Sequence, residues 1–351
     1  MTRVFLTGGS GFIGGGVCSL LVERGDDVVA LARSDLAASK VAAHGAEPFA
    51  GDVCDEDRLA AGMRGCSVAY HAAGVNSHCA NDPEELMRVN VGGVEGVIRA
   101  AARAGIPRVV LTSSAASIGE PKGVVGREDT PHRGSYLSLY DRSKHVGEQR
   151  GFAAAQSLGV EVVALNPSSV QGPGRASGNG KFLIDYLNGK LHVFVDVYIS
   201  VVDIADVATA HLLAAERGRP GARYVLNGAT VRTHDVLKVI TQVSGISEPV
   251  RMAPPALVRA AATVAESVAR SRGRTSSFCR ARVRTILHGH RYDGSRATRE
   301  LGVDYTPLAE TFRRTIDWAR EQGLVTRSLP IVFAPGGQPA AERPTSELSA
   351  R

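Results

Sequence analysis

Tyr140 and Lys144 stand four positions apart in a stretch whose pattern predicts a helix. At that spacing the two side chains share one helical face. A free phenol titrates at about 10 and is a poor proton shuttle at neutral pH. An ammonium group beside it favours the phenolate and lowers that value. Such a pair can give a proton to a carbonyl oxygen or take one from a hydroxyl. The same two residues also occur by chance on exposed helical turns, so the elements around them must decide.

The first of those elements is Arg3-Val4-Phe5-Leu6-Thr7, an apolar run that predicts a buried strand. Gly8-Gly9-Ser10-Gly11-Phe12-Ile13-Gly14 follows, and a helical pattern continues to Gly25. In this strand–turn–helix unit Gly8 permits the tight turn, Gly11 lets backbone approach a pyrophosphate, and Gly14 lets helix and strand pack closely. The free N–H groups at the helix start favour the phosphates. Thr7, Gly8, Ser10, Gly11, Phe12, Ile13 and Gly14 are therefore candidate cofactor contacts.

Further strands are expected at Asp27–Ala32, Glu47–Ala50, Ser67–Gly74 (a strand with its exit loop), Arg108–Ser114 and Val160–Leu165. Helical patterns alternate with them, from Pro83 to Ala104 and from Leu139 to Leu158. That alternation implies an α/β fold, a doubly wound parallel sheet. Small residues at Ala72, Ala73 and Gly74 let backbone lie against the cofactor. Arg33, after the second strand, suits a ribose 2′-phosphate, so NADP is favoured over NAD. Asp35 argues mildly the other way. Asp52, beside Val53, could cap the helix that begins near Glu56.

The spacing Thr7-Gly8-x-x-Gly11-x-x-Gly14 resembles the extended short-chain dehydrogenase/reductase superfamily, the NAD-dependent epimerase/dehydratase family. The chain is similar to its dihydroflavonol reductase-like and 3β-hydroxysteroid dehydrogenase-like members, a resemblance that implies that Lys40, seven residues after Arg33, joins it on the 2′-phosphate and that Asp52 meets the adenine. The resemblance covers roughly residues 3 to 325 and implies roles for particular residues. Ser114, 26 residues before Tyr140, matches the family's catalytic serine and would polarise a substrate carbonyl. Tyr140 would be the general acid or base, and Lys144 would hold the nicotinamide ribose. Asn90, in Asn90-Val91-Gly92-Gly93, would support the site. The loop from Asn166 to Gly174 would meet the nicotinamide through backbone at Pro167, Ser168, Ser169 and Val170. Where the family runs toward Tyr-Gly after the serine, Ile118-Gly119 stands here instead, so one aromatic pocket wall is missing.

Asn76, Ser77, Ser114, Phe182 and Tyr186 are the candidate substrate residues. Residues 1–174 are expected to form mainly the dinucleotide domain, and 175–327 mainly a smaller, mostly helical substrate lobe. Residues 328–351 read as a flexible tail. Asp203 and Asp206 are expected to cap and orient a helix. The stretch from Pro254 to His288 reads as helical and rich in Ala and Arg.

Composition excludes several classes. Hydrophobic content of 44% and charged content of 22% are ordinary for a globular enzyme. The net charge is +6, with much of the excess in arginines between 251 and 284. A solvated helical face accounts for it, with contact to anionic lipid as the lesser alternative; no nucleic-acid motif accompanies the charge. The five cysteines are scattered, so free thiols in a reducing cytoplasm are expected, with no metal site. No leader or membrane-spanning run is apparent. The resemblance implies a homodimer, through the Tyr140 helix and the helix near 83–104.

The leading expectation is an NADP-dependent oxidoreductase that reduces a small, hydrophobic ketone or aldehyde. A nucleotide-sugar epimerase or dehydratase with tightly bound NAD is the alternative. A non-catalytic NAD(P)-sensing protein is the remote third.

Overall fold

A computed structural model describes residues 2–79 and 82–327. The expected tail from 328 lies outside the described residues. Six parallel strands form the main sheet in the doubly wound arrangement: β1 (Arg3–Thr7), β2 (Asp27–Ala32), β3 (Glu47–Ala50), β4 (Val68–His71), β5 (Arg108–Thr112) and β6 (Glu161–Pro167). β7 (Ser169–Gln171), β8 (Val193–Phe194) and β9 (Tyr198–Asp203) lie outside it. β10 (Arg223–Leu226) returns to pair in parallel with β6. The sheet order is β10-β6-β5-β4-β1-β2-β3. The order reverses between β1 and β4, and their carboxyl ends open the crevice where such sheets take ligands.

Valine, leucine and alanine dominate these strands, because both faces are covered. On one face α1 (Phe12–Glu23), α2 (Asp35–Ala43) and α8 (Ile204–Arg217) bury Val17, Leu21, Val41 and Val207 against Val4, Leu6 and Val28. On the other, α3 (Glu56–Met63) and α5 (Gly93–Ala104) bury Leu59, Met63, Val97 and Ile98 against Phe5, Val29 and Leu111.

The span from Pro83 to Ala104 is not one continuous α-helix. α4 (Pro83–Met87) passes into a π-helical turn over Arg88–Gly92 before α5 begins. Asn90 sits inside that turn. Such widened turns re-aim side chains and recur at functional sites.

α6 (Leu139–Leu158) starts at Ser138, whose Oγ accepts from the Asp141 N–H at 3.2 Å, and ends at Gly159. Glycines let it pack closely. A Cβ on Gly147 would fall 2.1 Å from the Asn90 carbonyl oxygen, and one on Gly151 2.8 Å from Val94.

The C-terminal lobe has its own core. α7 (Asn179–Leu187), α9 (Thr233–Ser244) and α13 (Leu308–Glu321) bury Leu183, Leu187, Leu237, Phe312 and Ile316 together. β11 (Ala229–Arg232) pairs with β9, which pairs with β7, and β12 (Arg251–Met252) pairs with β8. The expected helix from Pro254 to His288 is two helices, α10 (Pro255–Ser271) and α11 (Arg280–His288). They are split by a segment containing Gly273 in the left-handed region. α12 (Ser295–Leu301) closes back on the sheet.

Three further expectations need correction. Cys79 and Cys279 are joined by a disulfide across 200 residues, so they are not free thiols; Cys18, Cys54 and Cys66 are. Sequence spacing cannot reveal a bond between loops that only folding brings together. The cap of α3 is Asp55, not Asp52. Asp203 caps α8 as expected, but Asp206 accepts from the Thr306 N–H and hydroxyl, anchoring the segment before α13.

Candidate active site

Folding brings Ser114, Tyr140 and Lys144 to the carboxyl end of β5. Ser114 follows the strand and caps a short 3-10 turn, its Oγ accepting from the Ala116 N–H. Tyr140 lies in the first turn of α6, close enough to Ser114 to hydrogen-bond. One turn on, the Lys144 ammonium donates to the Thr112 carbonyl at 2.9 Å.

That last contact corrects the expected electrostatics. Burial raises the Tyr140 phenol above its usual value, and Asp141 adds to the rise; the Ser114 hydroxyl and Arg175 work the other way. Lys144 points at the strand carbonyl, and burial brings its own ammonium down to about 8 in spite of Glu148. The phenol is therefore held in its neutral form.

Asn90 positions this machinery. It accepts from the Val75 N–H, and its amide donates to the Val75 carbonyl and to Ser143 Oγ, at 2.8, 2.9 and 2.9 Å. One side chain thus ties the loop after β4 to α6. Gly74 sits between Asn90 and Lys144, where an added Cβ would meet Asn90 Oδ1 at 3.2 Å. Thr7 does similar work below: its hydroxyl bonds His71 Nδ1 at 2.7 Å and accepts from the Ala73 N–H. Burial, reinforced by Lys144, holds the His71 imidazole neutral, down to about 3.

The glycine loop fits a dinucleotide phosphate. Gly8 has φ +79, and a Cβ on Gly14 would lie 2.1 Å from its carbonyl oxygen. Gly11 begins α1 without any side-chain cap, which leaves the first N–H groups available to an anion. Ser10, Phe12 and Ile13 are partly exposed there. At the end of β2, Arg33 and Lys40 are exposed and, among the described residues, unpaired with any carboxylate. Asp52 Oδ1 accepts from the Cys54 N–H, and Val53 is buried in the core. Beyond β6, Ser168 donates its N–H to Leu226, and Pro167, Ser169 and Val170 complete the loop.

The substrate candidates divide. Asn76 and Ser77 lie on the loop leading to His78, whose ring packs edge-on against Tyr140 at 4.9 Å. Phe182 is exposed. Tyr186 is a lobe-core residue, buried with its ring edge against Phe194 at 5.9 Å, because its helix turns that face inward.

Sequence reasoning missed two buried networks. Glu148 accepts from Ser117 and Asn166 and pairs with Arg223 at 2.8 Å, which locks α6 to β6 and β10. Glu120 accepts from His290 at 2.6 Å, with His288 Nε2 at 3.3 Å and the Tyr292 hydroxyl 3.0 Å from His290. Burial opposes ionisation of Glu120, but hydrogen bonds from the two histidines outweigh it and hold the carboxyl at about 2. These three residues come from loops 170 positions apart, so no local motif could reveal them. Arg175 stacks over Phe12 at 5.3 Å and faces Tyr140.

The sequence model of the NAD dependent epimerase/dehydratase family matches residues 4–227. A 4-hydroxy-2-methyl-3-oxo-4-farnesyl-3,4-dihydroquinoline-1-oxide ketoreductase of Stigmatella aurantiaca is 34% identical over 307 residues, covering 86% of this chain and 91% of its own. Sterol demethylase protein B of Methylococcus capsulatus is 31% identical over 327 residues, covering 91% and 99%. Among solved structures, that of gox2253 superposes with a TM-score of 0.80 at 29% identity, covering 92% of this chain and 99% of its own.

Proposed function

The chain belongs to the NAD-dependent epimerase/dehydratase family, and from that footing we propose that it is an NADPH-dependent reductase of small, hydrophobic ketones or aldehydes. The observation that carries the reading is the convergence of Ser114, a neutral Tyr140 and Lys144 at one strand end. The Gly8–Gly14 loop would hold the pyrophosphate, Lys144 the nicotinamide ribose, and Arg33 with Lys40 the 2′-phosphate. Bound there, the reduced dinucleotide supplies the hydride.

The chain's own residues supply the proton and the geometry. Ser114 donates to the substrate oxygen and polarises the carbonyl. Tyr140 gives that oxygen its proton as charge develops. Asn90, through Ser143, and Thr112, through Lys144, would hold the turn that carries Tyr140. The farnesyl chain in the substrate named for the ketoreductase relative favours a hydrophobic carbonyl compound here. A homodimer through the faces of α5 and α6 belongs to the same reading, and light scattering tests it.

The decisive experiment titrates stripped protein with NADPH and NADH in parallel, then screens hydrophobic ketones and aldehydes. A preference for NADPH of at least about tenfold, or ~1.4 kcal/mol, is expected. Preference for NADH, with nucleotide sugars as the turned-over compounds, would overturn the proposal in favour of epimerase chemistry.

A further inference from the structure

The Arg-rich segment 251–291 contains nine arginines and one carboxylate, Glu266. Its excess of positive charge is larger than that of the whole chain, +6. Among the described residues, Glu266 pairs with Arg270 and Arg280, while Arg251, Arg259, Arg272 and Arg274 have no carboxylate partner. The segment therefore carries a concentrated, largely uncompensated positive field.

α10 combines that charge with an apolar stripe. Leu257, Val264 and Val268 are 64%, 62% and 41% exposed. They recur at helical spacing and share one side over about 16 Å of helix. The other side is what holds the helix to the protein: Ala262 is buried, and Val258 packs with Val283 and Leu287 of α11. Met252 and Phe278, exposed before and after α10, extend the apolar character, and Arg272 and Arg274 follow the stripe's C-terminal end. Among the described residues no helix is long and apolar enough to cross a membrane.

We propose that α10 docks this protein on an anionic phospholipid surface. The stripe enters the headgroup boundary, while the arginines draw the helix to the negative lipid. Charge complementarity selects this occupant. A second copy of the chain would bring two strongly positive segments together. A nucleic acid would use the arginines and leave the apolar stripe without a partner.

The docking face is coupled to the candidate site through covalent and packed contacts. Cys279, at the start of α11, is bonded to Cys79, and the neighbouring His78 packs on Tyr140. A bilayer beneath α10 would thus lie against the segment that is fastened to the site's outer loop.

The test is sedimentation of the full chain with vesicles of phosphatidylcholine alone or with about one-third phosphatidylglycerol. Binding to the anionic vesicles at least about tenfold stronger, and weakened by salt, is expected. The triple variant Leu257→Ser, Val264→Ser, Val268→Ser should lose about tenfold of that binding while its far-UV spectrum and NADPH titration stay unchanged. Three outcomes overturn the proposal. One is no binding to anionic vesicles. Another is full binding by the triple variant, which would make the contact a purely ionic one open to any polyanion. The third is a fall in solution mass of the variant without lipid, which would make the stripe a contact between copies.

Discussion

At the scale of single residues, the site is a set of protonation states chosen by burial. Tyr140 is kept neutral because its surroundings disfavour phenolate more than Ser114 and Arg175 favour it. Tyr140→Phe removes the donated proton but leaves the glycine loop intact. Turnover should fall about 10²–10⁴-fold with NADPH affinity nearly unchanged, measured by steady-state kinetics beside a fluorescence titration. Lys144, brought down to about 8 by burial, loses its charge as the pH rises through that value. The kcat/KM of the reduction should therefore decline above about pH 8, and Lys144→Met should abolish that limb together with most of the activity. A profile flat to pH 10 would show that Lys144 stays charged or plays no part.

At the scale of elements, the site depends on how closely α6 approaches the π-helical turn. The two meet at Gly147, where an alanine would put its Cβ 2.1 Å from the Asn90 carbonyl oxygen. No side chain can yield there, because the obstructing atom is backbone. Gly147→Ala should destabilise the fold by roughly 1–3 kcal/mol and lower turnover as well, since Tyr140 and Lys144 ride on the displaced helix. Thermal melting and kcat read the two effects separately. Gly105→Ala serves as the control: its Cβ would meet nothing within 4 Å, so it carries only the cost of a left-handed backbone, with the catalytic turn undisturbed.

At the scale of the whole molecule, two buried neutral histidines tie the sheet together, one to a helix and one strand to strand. His211 on α8 bonds the Thr112 hydroxyl and the Val207 carbonyl, each at 2.7 Å, and burial takes it down to about 4. His71 joins β4 to β1 and is taken down to about 3. As the pH falls below about 6.5 the unfolded chain binds these protons while the native one does not. The stability they permit is complete above that pH and is lost as the pH drops toward 4, by on the order of 3 kcal/mol for His211 alone. Urea unfolding at pH 7 and pH 4.5 should reveal the loss, and His211→Gln should reduce its slope. An unchanged slope in that variant would remove His211 from the acid response.

The sequence by itself determined the architecture and the candidate catalytic set. Strand, glycine turn and helix follow from local pattern, and Tyr140 with Lys144 from helical periodicity, so both were legible before any packing was known. Tertiary structure decided what those residues experience. Tyr140 is raised rather than lowered because burial outweighs the Ser114 hydroxyl and Arg175, while Lys144 reaches a strand carbonyl. Tyr186 belongs to a core because α7 turns it inward. Glu120 meets two histidines, and Cys79 its partner, only after distant loops converge. Pattern within a segment fixes which face is apolar, whereas dielectric, pairing and register between segments exist only once the chain has closed on itself.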